Sequence, residues 1–131
     1  MSCEIQILSH ACLLVKTKKS SLVIDPWLVG SCYWRSWWNF PKPVYAKSDL
    51  DAVDAVVISH VHWDHWHGPT LKFFLEKNIK IITHDEPNKR SLRDLKNFGF
   101  KNIKILKHNE SYEIGEIKIT PYQFEIGRAH V

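Results

Sequence analysis

The run Val53-Asp54-Ala55-Val56-Val57-Ile58-Ser59 ends directly in His60-Val61-His62-Trp63-Asp64-His65. A short apolar, β-branched stretch of this kind reads as a buried strand of a covered sheet. Three imidazoles and a carboxylate follow it within six residues. Packing alone does not call for such a cluster. It reads as a metal site built at the end of a rigid strand, and it points to metal-assisted hydrolysis.

Zinc and similar ions take imidazole nitrogen and carboxylate oxygen at about 2.0–2.2 Å. His60 and His62 are two apart, so on extended backbone they project to the same side and can reach one ion. Asp64 and His65 lie where the chain leaves the strand, placed for a neighbouring second ion. Two ions about 3.5–4 Å apart can hold a bridging hydroxide, lower the pKa of its parent water and polarise a substrate oxygen. Asp64 is then the catalytic residue as well as a ligand, orienting the nucleophile. Two Zn²⁺ suit this donor set, and iron or manganese accept the same donors.

The remaining sequence narrows the setting. With 131 residues, 44% hydrophobic and 24% charged, the chain suits one globular domain. No apolar run is long enough to span a bilayer. Met1-Ser2-Cys3-Glu4 has neither the basic nor the apolar region of a signal peptide, so a cytoplasmic location is expected. Cys3, Cys12 and Cys32 have no paired spacing, and reduced thiols are the reading. The net charge of +4 is compatible with a small anionic substrate. The lysines are dispersed, which disfavours nucleic acid as a partner, and a solvated basic surface accounts for them. The oligomeric state is not readable.

Glu4–Leu8 and Cys12–Lys16 are short β-rich runs, and Cys12–Ile24 reads as a hairpin about the polar turn Lys18-Lys19-Ser20-Ser21. Trp27–Leu50 has no period but holds four tryptophans, which suggests an ordered functional loop. Val53–Ser59 is the buried strand. Gly68-Pro69-Thr70 opens a helix whose apolar face is Leu71, Phe74 and Leu75. Ile79–Thr83 is the next strand, Pro87–Phe98 a second helix stopped by Gly99, and Ile103–Leu106 a third strand. Tyr112–Ile114 and Glu116–Tyr122 pair around Gly115. The order predicts an α/β (α+β) mixed sheet with helices on one face.

Ser59-His60-Val61-His62-Trp63-Asp64-His65 resembles the signature of the metallo-β-lactamase fold superfamily. That resemblance implies an αββα sandwich with a two-metal site at its edge, with His60 and His62 on the first metal and Asp64 and His65 on the second. Ser9-His10-Ala11, Ile24-Asp25-Pro26-Trp27-Leu28 and Gly68-Pro69-Thr70-Leu71 resemble the branch of L-ascorbate-6-phosphate lactonase and CMP-N-acetylneuraminate hydroxylase-like proteins. Ser9 departs from the glycine that usually precedes the early histidine there.

By the same resemblance, residues 1–124 are a partial metallo-β-lactamase domain, its N-terminal β-layer with helices on one face. The family's further ligands, a histidine, a bridging aspartate and a last histidine, have no match after Leu106. Ile126-Gly127-Arg128-Ala129-His130-Val131 is what one reading frame of a widely used sequencing adapter encodes, so residues 125–131 are expected to be a non-native tail. Such a half-sandwich is expected to leave one sheet face bare.

Other candidates carry two readings each. His10 lies near the metals, or is a strand-end histidine with a satisfied hydrogen bond. Asp25 orients a ligand histidine, or caps a turn. Trp63, Trp66, Trp34, Trp37 and Trp38 form an aromatic wall facing substrate, or cover the core. Arg35 among them can bind phosphate or carboxylate. His67 is read as a solvated residue ahead of the helix, and His84 as part of a helix-entry turn.

The expected activity is metal-dependent hydrolysis of a small anionic or sugar-derived ester, lactone or phosphodiester. The alternatives are an iron-dependent oxygenase-like relative, a nuclease of the same fold, and a catalytically incomplete metal-binding fragment.

Overall fold

The computed structural model describes residues 2–122 and builds the chain around a mixed sheet. β1 (Cys3–Ser9), β2 (Cys12–Thr17) and β3 (Ser21–Ile24) form an antiparallel meander. The Trp-rich segment contributes a two-residue ladder, β4 (Ser31–Cys32) with β5 (Trp37–Trp38), and a short helix α1 (Lys47–Asp51). Then come β6 (Ala55–Ile58), α2 (Gly68–Leu75), β7 (Lys80–His84), α3 (Arg90–Phe98) and β8 (Ile103–Leu106). The hairpin β9 (Tyr112–Ile114) and β10 (Ile117–Ile119) follows. The main sheet runs β1-β2-β3-β6-β7-β8, with β3, β6, β7 and β8 parallel.

Side-chain alternation divides the sheet into two faces. In register across it, Leu14, Val23, Val56 and Ile81 point to the helix side, where they pack with Leu71, Phe74, Leu95 and Phe100. Leu71 and Phe74 are fully buried, each contributing about 1.5–3 kcal/mol relative to exposure. Pro69 occupies the first turn of α2, where its missing N–H costs nothing.

The other face is not bare, which corrects the expectation. Leu22, Ala55, Ile82 and Leu106 are buried there beneath Tyr112, Ile114, Ile117 and Ile119 of the β9–β10 hairpin. The hairpin is fastened by the Ser20 hydroxyl, which accepts the Glu116 N–H at 3.1 Å. Cover stops short of β1, where Ile5 and Ile7 stay 63% and 76% exposed.

α3 begins at Arg90 rather than Pro87. Asn88 Oδ1 accepts the Arg90 N–H at 3.1 Å, and the Glu86 carboxylate accepts that of Ser91. These two side chains satisfy the first helical donors from outside, so Pro87–Lys89 remains a turn.

The topology collects one end of the sheet. The β1–β2 turn, the end of β3 and the end of β6 all lie there, because β2 runs against β1 and β3 while β6 runs with β3. His10, Asp25 and the segment Ser59–His65 are thereby brought to one edge.

Candidate metal centre

β6 ends at Ile58, and Ser59 gives its N–H to Asp25 Oδ1 at 2.7 Å instead of continuing the ladder. Loop backbone rather than strand pleat therefore carries His60 and His62. The His62 carbonyl accepts the N–H groups of His65 and Trp66 at 2.9 and 2.7 Å, a tight turn that swings Asp64 and His65 back toward the sheet.

Two donor groups result. His60 Nε2 and His62 Nδ1 are 3.1 Å apart. His10 Nε2 lies 2.8 Å and His65 Nε2 3.3 Å from Asp64 Oδ2. The rings of His60 and His65, one from each group, are 4.1 Å apart between centroids. Donors sharing one tetrahedral ion at about 2.0–2.1 Å sit roughly 3.3 Å from each other. The His60–His62 pair and the two contacts to Asp64 are near that spacing, His10, Asp64 and His65 offer donors within 4.8 Å of one another, and these nitrogen and carboxylate donors suit zinc, iron or manganese.

The supporting partners fix which nitrogen faces which way. Asp25 Oδ2 accepts the Ser59 hydroxyl at 2.6 Å and His65 Nδ1 at 2.7 Å. Ser59 Oγ, its proton given to Asp25, accepts His60 Nδ1 at 2.8 Å. One buried carboxylate thus holds both imidazoles with Nδ1 protonated and the Nε2 lone pair free for a ligand. Asp25 (φ 47°) and His10 (φ 27°) both have left-handed backbone, conformations that L residues hold only when their surroundings enforce them.

Charges follow from these contacts. Burial pushes the His60 imidazolium pKa down, with the neighbouring His65 and His62 adding to the effect. The Asp25 hydrogen bond raises that of His65 against the opposing effect of burial. Burial pushes Asp64 upward, but hydrogen bonds from Tyr33 and His10 outweigh it and the carboxyl ends below its ordinary value. Tyr33 itself is pushed up to about 12 by burial and by Asp64.

The other candidates separate. Trp63, between His62 and Asp64 in the chain, has its ring stacked on Tyr33 at 5.6 Å and met edge-on by Trp34 at 4.7 Å. Trp34, Trp37 and Trp38 are exposed, whereas Trp27 is core. Trp66 packs on Phe98 at 5.4 Å against the helix-side core, away from the donors. Arg35 is exposed on the Trp-rich turn, and its carbonyl accepts Trp38 Nε1 at 3.0 Å. His84 lines a cavity of about 340 Å³ between the parallel strand ends and residues 119–122, and its Nδ1 donates to the Asp85 carbonyl at 3.0 Å.

His67 is buried, not solvated. Its Nε2 donates to the Ser31 carbonyl at 3.0 Å and its Nδ1 accepts the Thr70 hydroxyl at 2.9 Å, while Thr70 Oγ1 accepts the Leu28 N–H. The ring ties the start of α2 to the Trp-rich segment.

The family described as "Beta-lactamase superfamily domain" matches residues 4–130. The chain belongs to the beta-lactamase superfamily. Its mixed sheet and helices have the α+β character of the metallo-β-lactamase-like fold. Among superfamily relatives, cytidine monophosphate-N-acetylneuraminic acid hydroxylase of Xenopus laevis is 40% identical over 81 residues, covering 60% of this chain and 14% of that protein. The solved structure of CmlA, a diiron β-hydroxylase from Streptomyces venezuelae, superposes with a TM-score of 0.73 at 19% identity, covering 94% of this chain and 24% of that one. A "possible metal-dependent hydrolase" from Veillonella parvula gives 0.60 at 22% identity, covering 88% and 45%. This chain therefore spans well under two thirds of each of these proteins.

Within this superfamily chain, two partners of the donor groups escaped the sequence reading. Ser59 was legible in principle, since it stands directly between the strand and His60. Tyr33 carried no signal: it is one aromatic among many, 31 residues before Asp64.

Proposed function

We propose that this chain carries a two-metal centre of an enzyme, with His60 and His62 holding one ion and His10, Asp64 and His65 the other. The observation that supports it is the convergence of five donors into two adjoining groups with ligand-like spacing. His10 joins the ligand set that sequence spacing offered, and the expected tail 125–131 lies outside the described residues.

When bound, such ions supply Lewis-acid activation of water and polarisation of a substrate oxygen. The residues do the rest. Asp25, directly and through Ser59, keeps His65 and His60 in the tautomer that presents Nε2. Asp64 presents Oδ2 to the second group while Tyr33 holds Oδ1. Tyr33, Trp34 and Trp63 form an aromatic wall on one side. Arg35 offers a fixed positive charge for an anionic substrate. Hydrolysis of a small anionic or sugar-derived ester, lactone or phosphodiester is the leading reaction, and the hydrolase-type neighbour supports it.

A second reading is iron-dependent oxygenation, favoured by the hydroxylase names of the similar proteins and by a donor set free of thiolate. The test loads the purified chain separately with Zn²⁺ and Fe²⁺, then assays an ester, lactone and phosphodiester panel beside oxygen uptake. Hydrolysis with Zn²⁺ supports the first reading. Oxygen uptake confined to the iron form supports the second. Tight binding without turnover means the chain is an incomplete catalytic unit, and no binding at all overturns the proposal.

A further inference from the structure

A carboxylate has two oxygens and about four lone-pair positions, so how it binds an ion depends on what else holds it. At Asp64 the two oxygens are segregated. Oδ1 accepts the Tyr33 hydroxyl at 2.8 Å, while Oδ2 faces His10 and His65. Asp64 is buried, so water does not readily substitute for the tyrosine.

Tyr33 reaches it from the Trp-rich segment at some conformational cost. Tyr33, Trp34 and Arg35 have φ of 53°, 54° and 66°, three successive left-handed residues, none of them glycine. Such a turn persists only where its surroundings over-determine it. Here the Tyr33 ring stacks on Trp63, which stands between His62 and Asp64, and meets Trp37 edge-on at 4.8 Å.

We infer that Tyr33 is a positioning residue that makes Asp64 a one-oxygen ligand and fastens the Trp-rich turn to the metal centre. The inference rests on the proposed place of Asp64 at the second ion. Its hydroxyl keeps Oδ1 out of the coordination sphere and aims Oδ2 at the ion. Its ring makes the aromatic wall respond to loading of that ion.

The test titrates the full chain and Tyr33→Phe with Co²⁺ alone, reading d–d absorption and tryptophan fluorescence. Phenylalanine keeps the ring packing and deletes only the hydroxyl. The expected result is a loss of about 10–100-fold in affinity at one of two ions. The other ion keeps its affinity, the fluorescence response to the weakened ion shrinks, and unfolding in chelator shifts only by the modest cost of one lost hydrogen bond to a buried carboxylate. Equal or tighter binding by Tyr33→Phe overturns the inference, as does an equal loss at both ions accompanied by a lower unfolding temperature.

Difference infrared spectra of the wild-type chain give a measurement independent of that variant, with Asp64→Asn identifying the Asp64 band. A wide splitting of the carboxylate stretches supports one-oxygen binding, and a narrow, chelating splitting overturns it. A wild-type chain that binds no Co²⁺ overturns the two-metal reading together with this inference. Binding by wild type with an unaltered Tyr33→Phe overturns this inference alone.

Discussion

Asp25→Asn separates the metal centre from the fold. Asp25 accepts three hydrogen bonds, from Ser59 N–H, the Ser59 hydroxyl and His65 Nδ1, at 2.7, 2.6 and 2.7 Å. In the variant the amide oxygen must face the Ser59 N–H, so the amide NH₂ takes the place of Oδ2. It then donates toward His65 Nδ1 and Ser59 Oγ. His65 must carry its proton on Nε2, and the displaced Ser59 hydroxyl turns its proton toward His60 Nδ1 with the same result. Both Nε2 lone pairs aimed at the ions are lost.

Replacing charge-assisted bonds by neutral ones costs about 1 kcal/mol each, so the metal-free protein loses at most ~3 kcal/mol and still folds. Metal affinity falls about 10–100-fold, equivalent to ~1.4–2.8 kcal/mol. The pH dependence has a definite sign. His65 has a folded pKa raised above its ordinary 6.5, so its charged pairing with Asp25 stabilises the metal-free fold fully below that value. This contribution is lost as pH rises through the folded pKa.

The stability gap between wild type and Asp25→Asn in chelator should therefore narrow with rising pH. Wild-type metal affinity should climb through the same window, because metal and proton compete for His65. Thermal unfolding in chelator and chelator-competition titrations measure the two. A variant that binds metal like wild type, with a gap flat in pH, would refute the orienting role of Asp25.

Three further outcomes follow from the packing. Gly115→Ala places a Cβ 1.8 Å from Ser20 Oγ at a φ of +55°, and should destabilise by roughly 2–4 kcal/mol in denaturant unfolding; a loss below 0.5 kcal/mol would mean the hairpin is not seated on the β2–β3 turn. His67 is held neutral, its pKa lowered by burial against the opposing Ser31 carbonyl. The unfolded chain then binds more protons below pH 6.5, so stability drops as the pH is lowered through that range, and His67→Asn should flatten the drop relative to wild type in chelator. Cys3 is exposed, whereas Cys12 and Cys32 are buried and burial pushes the Cys12 thiol up to about 12. A thiol reagent should modify one cysteine quickly and two only on unfolding; three fast thiols would contradict the β2 and β4 placements.

Much of this was legible because it rests on short-range rules. The β-branched run before His60 marked an interior strand, Pro69 marked the start of α2, and Gly99 its partner's end. Residues two and five apart in one segment could be assigned to a shared site by spacing alone. What escaped or stayed open depended on distant segments meeting. His10 and Asp25 were candidates by sequence context, but choosing between their two readings needs antiparallel β1–β2–β3 and parallel β6 to end at one edge. His67 is buried because Ser31 and Thr70 arrive with matched hydrogen-bonding groups. The start of α3 shifted because the Glu86 and Asn88 side chains outcompeted another helical turn. Tyr33 sits at the tip of a left-handed turn that no local periodicity announces.

The central claim is that two ions share the edge formed by His10, Asp25 and residues 59–65. Crystals of the metal-loaded chain, with anomalous diffraction recorded on either side of the metal's absorption edge, test it most directly. The account predicts two peaks, one bonded to His60 Nε2 and His62 Nδ1, the other to His10 Nε2, Asp64 Oδ2 and His65 Nε2. A single peak elsewhere, or none within this cluster in metal-saturated crystals, would contradict it.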